Sequence, residues 1–211
     1  MAGALLFEKI ISVCQQHGCK VDADFPYCIL INYPFSTMLT DDLEKKLLQN
    51  QLFECFNCLS TNQISIAAIA CNTLHVFLPP LPKEIHLVHM IVETKEYVES
   101  IGWHEPLILC SSTSVQSKLH AQYFPCRYPD NALQKKIDNL IDEITRGCCL
   151  KNASKVLSDI CNEEGPTILG CTELTLAHER TPLESKEICA PDSLVAEKIG
   201  KIIFKNENSY H

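Results

Sequence analysis

Two short stretches of this chain repeat one pattern. Ala68-Ile69-Ala70-Cys71-Asn72-Thr73 and Ile168-Leu169-Gly170-Cys171-Thr172-Glu173 lie 100 residues apart in a chain of 211. Each runs from an apolar segment through a small residue to a cysteine, then to small polar residues suited to a helix N-terminus. A thiol at such a junction lies beside unpaired backbone N–H groups and the positive end of a helix dipole, which favours thiolate. Two such thiols across a cleft suit one chemistry. One takes a proton from one face of a carbon while the other returns a proton to the opposite face, and the roles exchange with direction. That is the symmetric acid/base placement a racemase or epimerase needs. Asn72, Thr73 and Thr172, with adjacent N–H groups, can hold a substrate carboxylate and stabilise developing enediolate charge.

The elements that must position these residues follow from hydrophobic patterning. Residues 4–17 place Leu5, Leu6, Ile10, Ile11 and Cys14 at helical spacing, and 40–59 read as a helix opened by Thr40-Asp41-Asp42. Further helices are expected at about 112–122, 130–146, 152–164 and 192–205. Strands are expected at Cys28–Tyr33, Ile64–Ala70, Ile85–Ile91, Leu107–Cys110 and Pro166–Gly170. Ile64–Ala70 is apolar on both faces, as in the middle of a parallel sheet. The alternation predicts an α/β fold: two similar lobes, each a mostly parallel sheet flanked by helices, with the active site in the cleft between them. Residues 1–91 with the returning segment 191–211 would form the first lobe, and 92–190 the second.

Composition limits the partners. The net charge is −8, and Arg127, Arg146 and Arg180 are the only arginines, so no basic stripe exists for nucleic acid. No apolar run reaches the ~18 residues of a membrane span. The opening Met1 to Lys9 has no basic region ahead of an apolar one, unlike a secretory signal. The odd count of 13 cysteines then argues for reduced thiols and a cytoplasmic address.

Ala70-Cys71-Asn72-Thr73 with Leu169-Gly170-Cys171-Thr172-Glu173-Leu174 resembles the cofactor-independent aspartate/glutamate racemase superfamily. The Thr-Glu after the second cysteine resembles the aspartate racemase branch, where glutamate racemases usually carry Thr-His. Cys110-Ser111-Ser112-Thr113-Ser114-Val115 resembles the family's Gly-Thr-x-Ala-Thr turn, and Tyr128-Pro129-Asp130 through Arg146-Gly147 the segment that follows it. The resemblance implies Cys71 and Cys171 as the two bases, with Asn72, Thr73, Thr113 and Thr172 on the substrate's α-groups. It implies an acidic amino acid as substrate, no pyridoxal phosphate or metal, and a homodimer.

Two departures matter. Family members usually begin with a strand and a Gly-Gly-x-Gly-Pro loop, whereas Met1-Ala2-Gly3 matches the helix just after that loop. Without that strand, a sheet edge and one wall of the site are expected to stand open. Many aspartate racemases also carry an arginine for the side-chain carboxylate after the strand at 28–33. Here Asn32 to Met38 has none, leaving Ser36 and Thr37 as hydrogen-bonding groups, while Arg146 lies near the family's second basic position.

Other thiols and acids have plainer readings. Cys55 and Cys58 have metal or redox spacing without a second pair, and positions three apart on an amphipathic helix also suit a core. The remaining cysteines read as small hydrophobes. His75, one turn after Cys71, either tunes its thiolate or packs. Glu173 either contacts the substrate amine, orients Cys171, or serves as a first-turn acid. Non-catalytic binding of a small acid, or isomerisation of another dicarboxylate, is the alternative function.

Overall fold

The computed structural model describes residues 2–35, 42–147, 149–182 and 187–205. Two parallel sheets carry the fold. In the first, β1 (Ile66–Ala68) pairs with β2 (His86–Val88), Ala67 opposite Leu87. In the second, β4 (Thr167–Leu169) lies between β3 (Leu107–Leu109) and β5 (Ile188–Cys189), with Ile108 opposite Ile168. Every residue of β3 and β4 is buried, which is why both read as unbroken apolar runs. The expected α/β class with parallel sheets is what the chain adopts.

Helices flank both sheets. They are α1 (Ala2–Gln16), α2 (Asp42–Thr61), α3 (Met90–Ile101), α4 (Ser112–Gln116), α5 (Asn131–Thr145), α6 (Leu150–Glu164), α7 (Thr172–Arg180) and α8 (Pro191–Lys205). Their ends follow local chemistry. Asp130 caps α5 by accepting from the Leu133 N–H at 2.8 Å, and α3 stops at Gly102, whose φ of +70° suits a residue without Cβ. The closing helix α8 returns to lie beside α1: Lys9, midway along α1, donates to Ser193 in the first turn of α8 at 2.8 Å, and His17 stacks on Phe204 at 4.7 Å near their ends. The two helices therefore run parallel.

Three expectations need correction. Residues 28–33 form no ladder, because no described strand runs beside them. The run Ile85–Ile91 is a strand only to Val88. At His89, whose side-chain Nδ1 accepts from the Val92 N–H at 3.4 Å, the chain turns into α3. The expected helix 112–122 is α4 followed by a separate 3-10 turn at His120–Gln122. The strand β5 carried too few residues to be read. Among the described residues, no helix is long and apolar enough to cross a membrane.

Candidate active site

Cys71 follows β1 and precedes a 3-10 turn at Thr73–Phe77, and Cys171 is the N-cap residue of α7, one residue beyond the end of β4. Both cysteines thus stand at the carboxyl ends of parallel strands, where open α/β sheets bind ligands. Although they come from different sheets, they meet in one electrostatic cluster. Cys71 and Glu173 act on Cys171, while Glu173 and Asp192 act on Cys71. Glu173 is the hub: its Oε2 accepts from Cys171 Sγ at 3.0 Å and from Thr172 Oγ1 at 3.2 Å. Cys71 and Glu173 also line a common cavity of about 680 Å³.

The thiols are not the ready thiolates that strand–helix junctions predict. Burial pushes the Cys71 thiol up to about 11, and the charges of Glu173 and Asp192 add to it. The Leu74 and Thr73 N–H groups pull the other way without winning. Burial likewise raises Cys171 well above the ordinary thiol range, with the Glu173 carboxylate raising it further through charge and hydrogen bond. Desolvation in a closed pocket outweighs the helix terminus. Both groups are neutral near pH 7.

Asn72 is 2% exposed, and both polar atoms of its carboxamide lack a partner among the described residues. Leaving such buried groups unpaired costs about 1–3 kcal/mol. A ligand bearing both an acceptor and a donor, as an amino acid's carboxylate and ammonium do, would remove that cost. Thr73 Oγ1 lies 2.9 Å from Ser111 Oγ and 3.1 Å from Ser114 Oγ, a hydroxyl cluster that ties the end of β1 to the start of α4. Thr113 is half-buried within α4, and Thr172 is buried at the start of α7. Ser36 lies outside the described residues.

His75 does not tune the thiol through its ring. Its Nδ1 lies 2.9 Å from the backbone oxygen of Cys71, and burial lowers its pKa to about 3. A neutral ring therefore donates to that carbonyl and fixes the turn that carries the thiol. Arg146 stands exposed at the end of α5, paired with Asp142 at 3.2 Å. Cys55 is half-buried against the cavity and Cys58 is exposed, so that pair is only partly core.

Sequence reasoning missed Asp192. It is 1% exposed at the start of α8, and burial raises its carboxyl pKa to about 6. In sequence it is one more first-turn acid, and only the return of α8 beside α1 brings it to the cysteines. Ser111 and Ser114 were likewise visible only as blurred members of a turn.

No protein-family model matches the chain, and a search of curated proteins finds no match. Solved structures do match. An aspartate racemase homologue from Pyrococcus horikoshii is 18% identical with a TM-score of 0.69, over 95% of this chain and 93% of that one. Picrophilus torridus aspartate racemase is 19% identical with a TM-score of 0.72, over 98% and 89%. Thermus thermophilus glutamate racemase, solved with β-chloro-D-alanine, is 12% identical with a TM-score of 0.60, over 98% and 78%. The strand-end thiols, the parallel sheets and the returning helix thus sit in a chain that folds as the aspartate and glutamate racemases do.

Proposed function

We propose that this chain is a cofactor-independent racemase of an acidic amino acid, with Cys71 and Cys171 as opposed acid and base. The observation that carries the reading is that two strand-end cysteines from separate sheets share Glu173: Cys171 Sγ lies 3.0 Å from its carboxylate, and Cys71 lines the same cavity as Glu173. The racemase fold of the solved neighbours supports it.

The chemistry balances without a redox partner. Glu173 takes the Cys171 proton across their 3.0 Å contact, leaving a thiolate. That thiolate removes the α-proton, and the C–H electron pair passes into an enediolate. Asn72 and the N–H groups beside Cys71 supply hydrogen bonds for its charge. The Cys71 thiol then protonates the opposite face. Return of the Glu173 proton to the Cys71 sulfur resets the pair. The substrate ammonium fits the negative field of Glu173 and Asp192, and its positive charge lowers the thiol pKa values that burial has raised.

In this reading residues 1–91 with 191–211 form one lobe and 92–190 the other, closing on the substrate from two sides. The described lining of the cavity carries Glu173 and neither Lys nor Arg, so a second substrate carboxylate is held by neutral hydrogen-bonding groups or by residues outside that lining. Racemisation of L- and D-aspartate and of L- and D-glutamate, followed by circular dichroism, tests the proposal. Activity is expected on at least one pair, reduced about 10²–10⁴-fold by Cys71→Ser and by Cys171→Ser. Full activity in either variant overturns it.

A further inference from the structure

The end of α1 is fixed by a turn that brings two further thiols together. Gly18, at φ +105°, stands in the left-handed region that glycine enters without strain. Its N–H donates to Gln15 O at 3.0 Å, and the Cys19 N–H reaches back to Cys14 O at 3.1 Å. These two bonds are the pair that closes a Schellman cap, in which the residue after the glycine folds back onto the last full turn of the helix. Such caps commonly carry an apolar contact between the two residues joined by the longer bond. Here both of those residues are cysteines, buried and free.

Packing explains their burial, and the cap gives them a chemistry as well. Disulfides join Cα atoms about 4.4–6.8 Å apart. The direct backbone bond between Cys14 and Cys19 keeps the pair within that reach. Cys19 Sγ gives its hydrogen to Asp24 O at 3.1 Å, which leaves the sulfur lone pairs free. Burial pushes the Cys14 thiol up to about 11, with the Cys19 and Cys28 sulfurs adding to it. Cys28 is thus also near Cys14, but no backbone bond among the described residues joins those two. Exposure sets the order of attack. Cys14 is 0% exposed and Cys19 is 7% exposed, so a reagent arriving from solvent meets Cys19 first.

We propose that Cys14 and Cys19 form a dithiol–disulfide site, oxidised by a small hydroperoxide and restored by a dithiol reductant. The Cys19 sulfur attacks the outer peroxide oxygen and the O–O bond breaks. Cys19 becomes a sulfenic acid, and its thiol proton leaves with the other oxygen as alcohol or water. The Cys14 sulfur then attacks the Cys19 sulfur. The S–S bond forms, the S–O bond breaks, and the oxygen leaves as water carrying the Cys14 proton. The two sulfurs give up two electrons in all, and the peroxide takes both. The loop so closed is short, so the bond constrains the unfolded chain little and stays open to reduction.

The test reads thiol state alone, so its failure is distinct from failure of the racemase proposal. Trypsin, cutting after Lys9 and Lys20, releases residues 10–20, which contain Cys14 and Cys19 and no other cysteine. The folded full chain is treated with hydrogen peroxide, raised until the exposed Cys58 and Cys149 lose their thiols. Remaining thiols are alkylated after unfolding, and the peptide is read by mass spectrometry. It is expected two hydrogens lighter than the reduced peptide and without alkyl groups, and dithiothreitol should restore both alkylation sites. In Cys19→Ser, oxidation of Cys14 should fall at least about tenfold, because the thiol left behind is closed to solvent. In Cys14→Ser, Cys19 should accumulate as a sulfenic acid that dimedone traps. A peptide that keeps both alkylatable thiols overturns the proposal. So does a Cys14–Cys28 bond or a sulfinic acid at Cys19 in place of the disulfide, or Cys14 oxidising as fast without Cys19 as with it.

Discussion

Gly170 separates β4 from Cys171, and replacing it with alanine tests how tightly the thiol is held. A Cβ there would lie 2.9 Å from Ile108 Cγ2, 3.1 Å from Cys110 Cβ and 3.2 Å from His120 Cε1. All three neighbours are fully buried, and Ile108 is locked opposite Ile168 in the β3–β4 ladder, so none can retreat freely. Overpacking of this kind costs about 1–3 kcal/mol. The reduced freedom of the unfolded chain returns about 0.4–1 kcal/mol. A net loss of about 1–2 kcal/mol corresponds, for a chain of this size, to a Tm lower by about 2–8 °C. Because the strain falls on the peptide leading into Cys171, the rate should fall as well, and a shift of about 1 Å in a catalytic group costs about 10²-fold. Calorimetry on Gly170→Ala, Ile108→Leu and the double variant isolates the contact, since leucine lacks the β-branch methyl that the new Cβ meets first. The alanine should cost less in the leucine background. A Tm within about 1 °C of the parent and an unchanged rate would refute the packing argument.

Three further outcomes follow from burial and hydrogen bonding. Asp192 has its pKa raised from 3.8 to about 6, so the folded state resists its ionisation and stability from this group falls as pH rises from about 4 to about 6. Asp192→Asn should therefore gain up to about 3 kcal/mol relative to the parent between pH 4 and 7, read by urea unfolding at each pH. His120 has the opposite sign: burial lowers its pKa to about 3, so its contribution is full above about 6.5 and is lost as pH falls toward 3. Its ring nitrogens have no partner among the described residues, so His120→Phe should hold its stability at pH 7 and flatten the acid limb by up to about 1.4 kcal/mol per pH unit. Ser154 Oγ donates to the Ala177 carbonyl at 2.7 Å in the buried seam between α6 and α7, and because that carbonyl also accepts from the Thr181 N–H, Ser154→Ala should cost about 0.5–1.5 kcal/mol in the same assay.

What sequence could reveal here divides by range. The α/β class was legible because β3 and β4 are buried on both faces, and the two strand-end cysteines because their local patterns repeat. The strand at 28–33 was misread for a physical reason. Its composition suits a strand, but a strand exists only with a neighbour, and none of the described strands lies beside it. The switch at His89 hid inside an apolar run, because histidine is an unusual N-cap and Met90 and Ile91 continue the hydrophobicity into α3. The thiol pKa values were misjudged because a helix terminus is visible in sequence and desolvation is not. Asp192 reaches the site through a contact between segments far apart in the chain, which local patterning does not encode.

The central claim is that two opposed thiols exchange protons on opposite faces of one carbon. Racemisation in deuterium oxide, stopped at low conversion and resolved by enantiomer, tests it most directly. Opposed bases predict that solvent deuterium enters the product enantiomer while recovered substrate stays unlabelled, from either direction, and that Cys71→Ser and Cys171→Ser both abolish product labelling. Equal labelling of substrate and product from the first turnovers, or labelling that survives loss of either thiol, would contradict it.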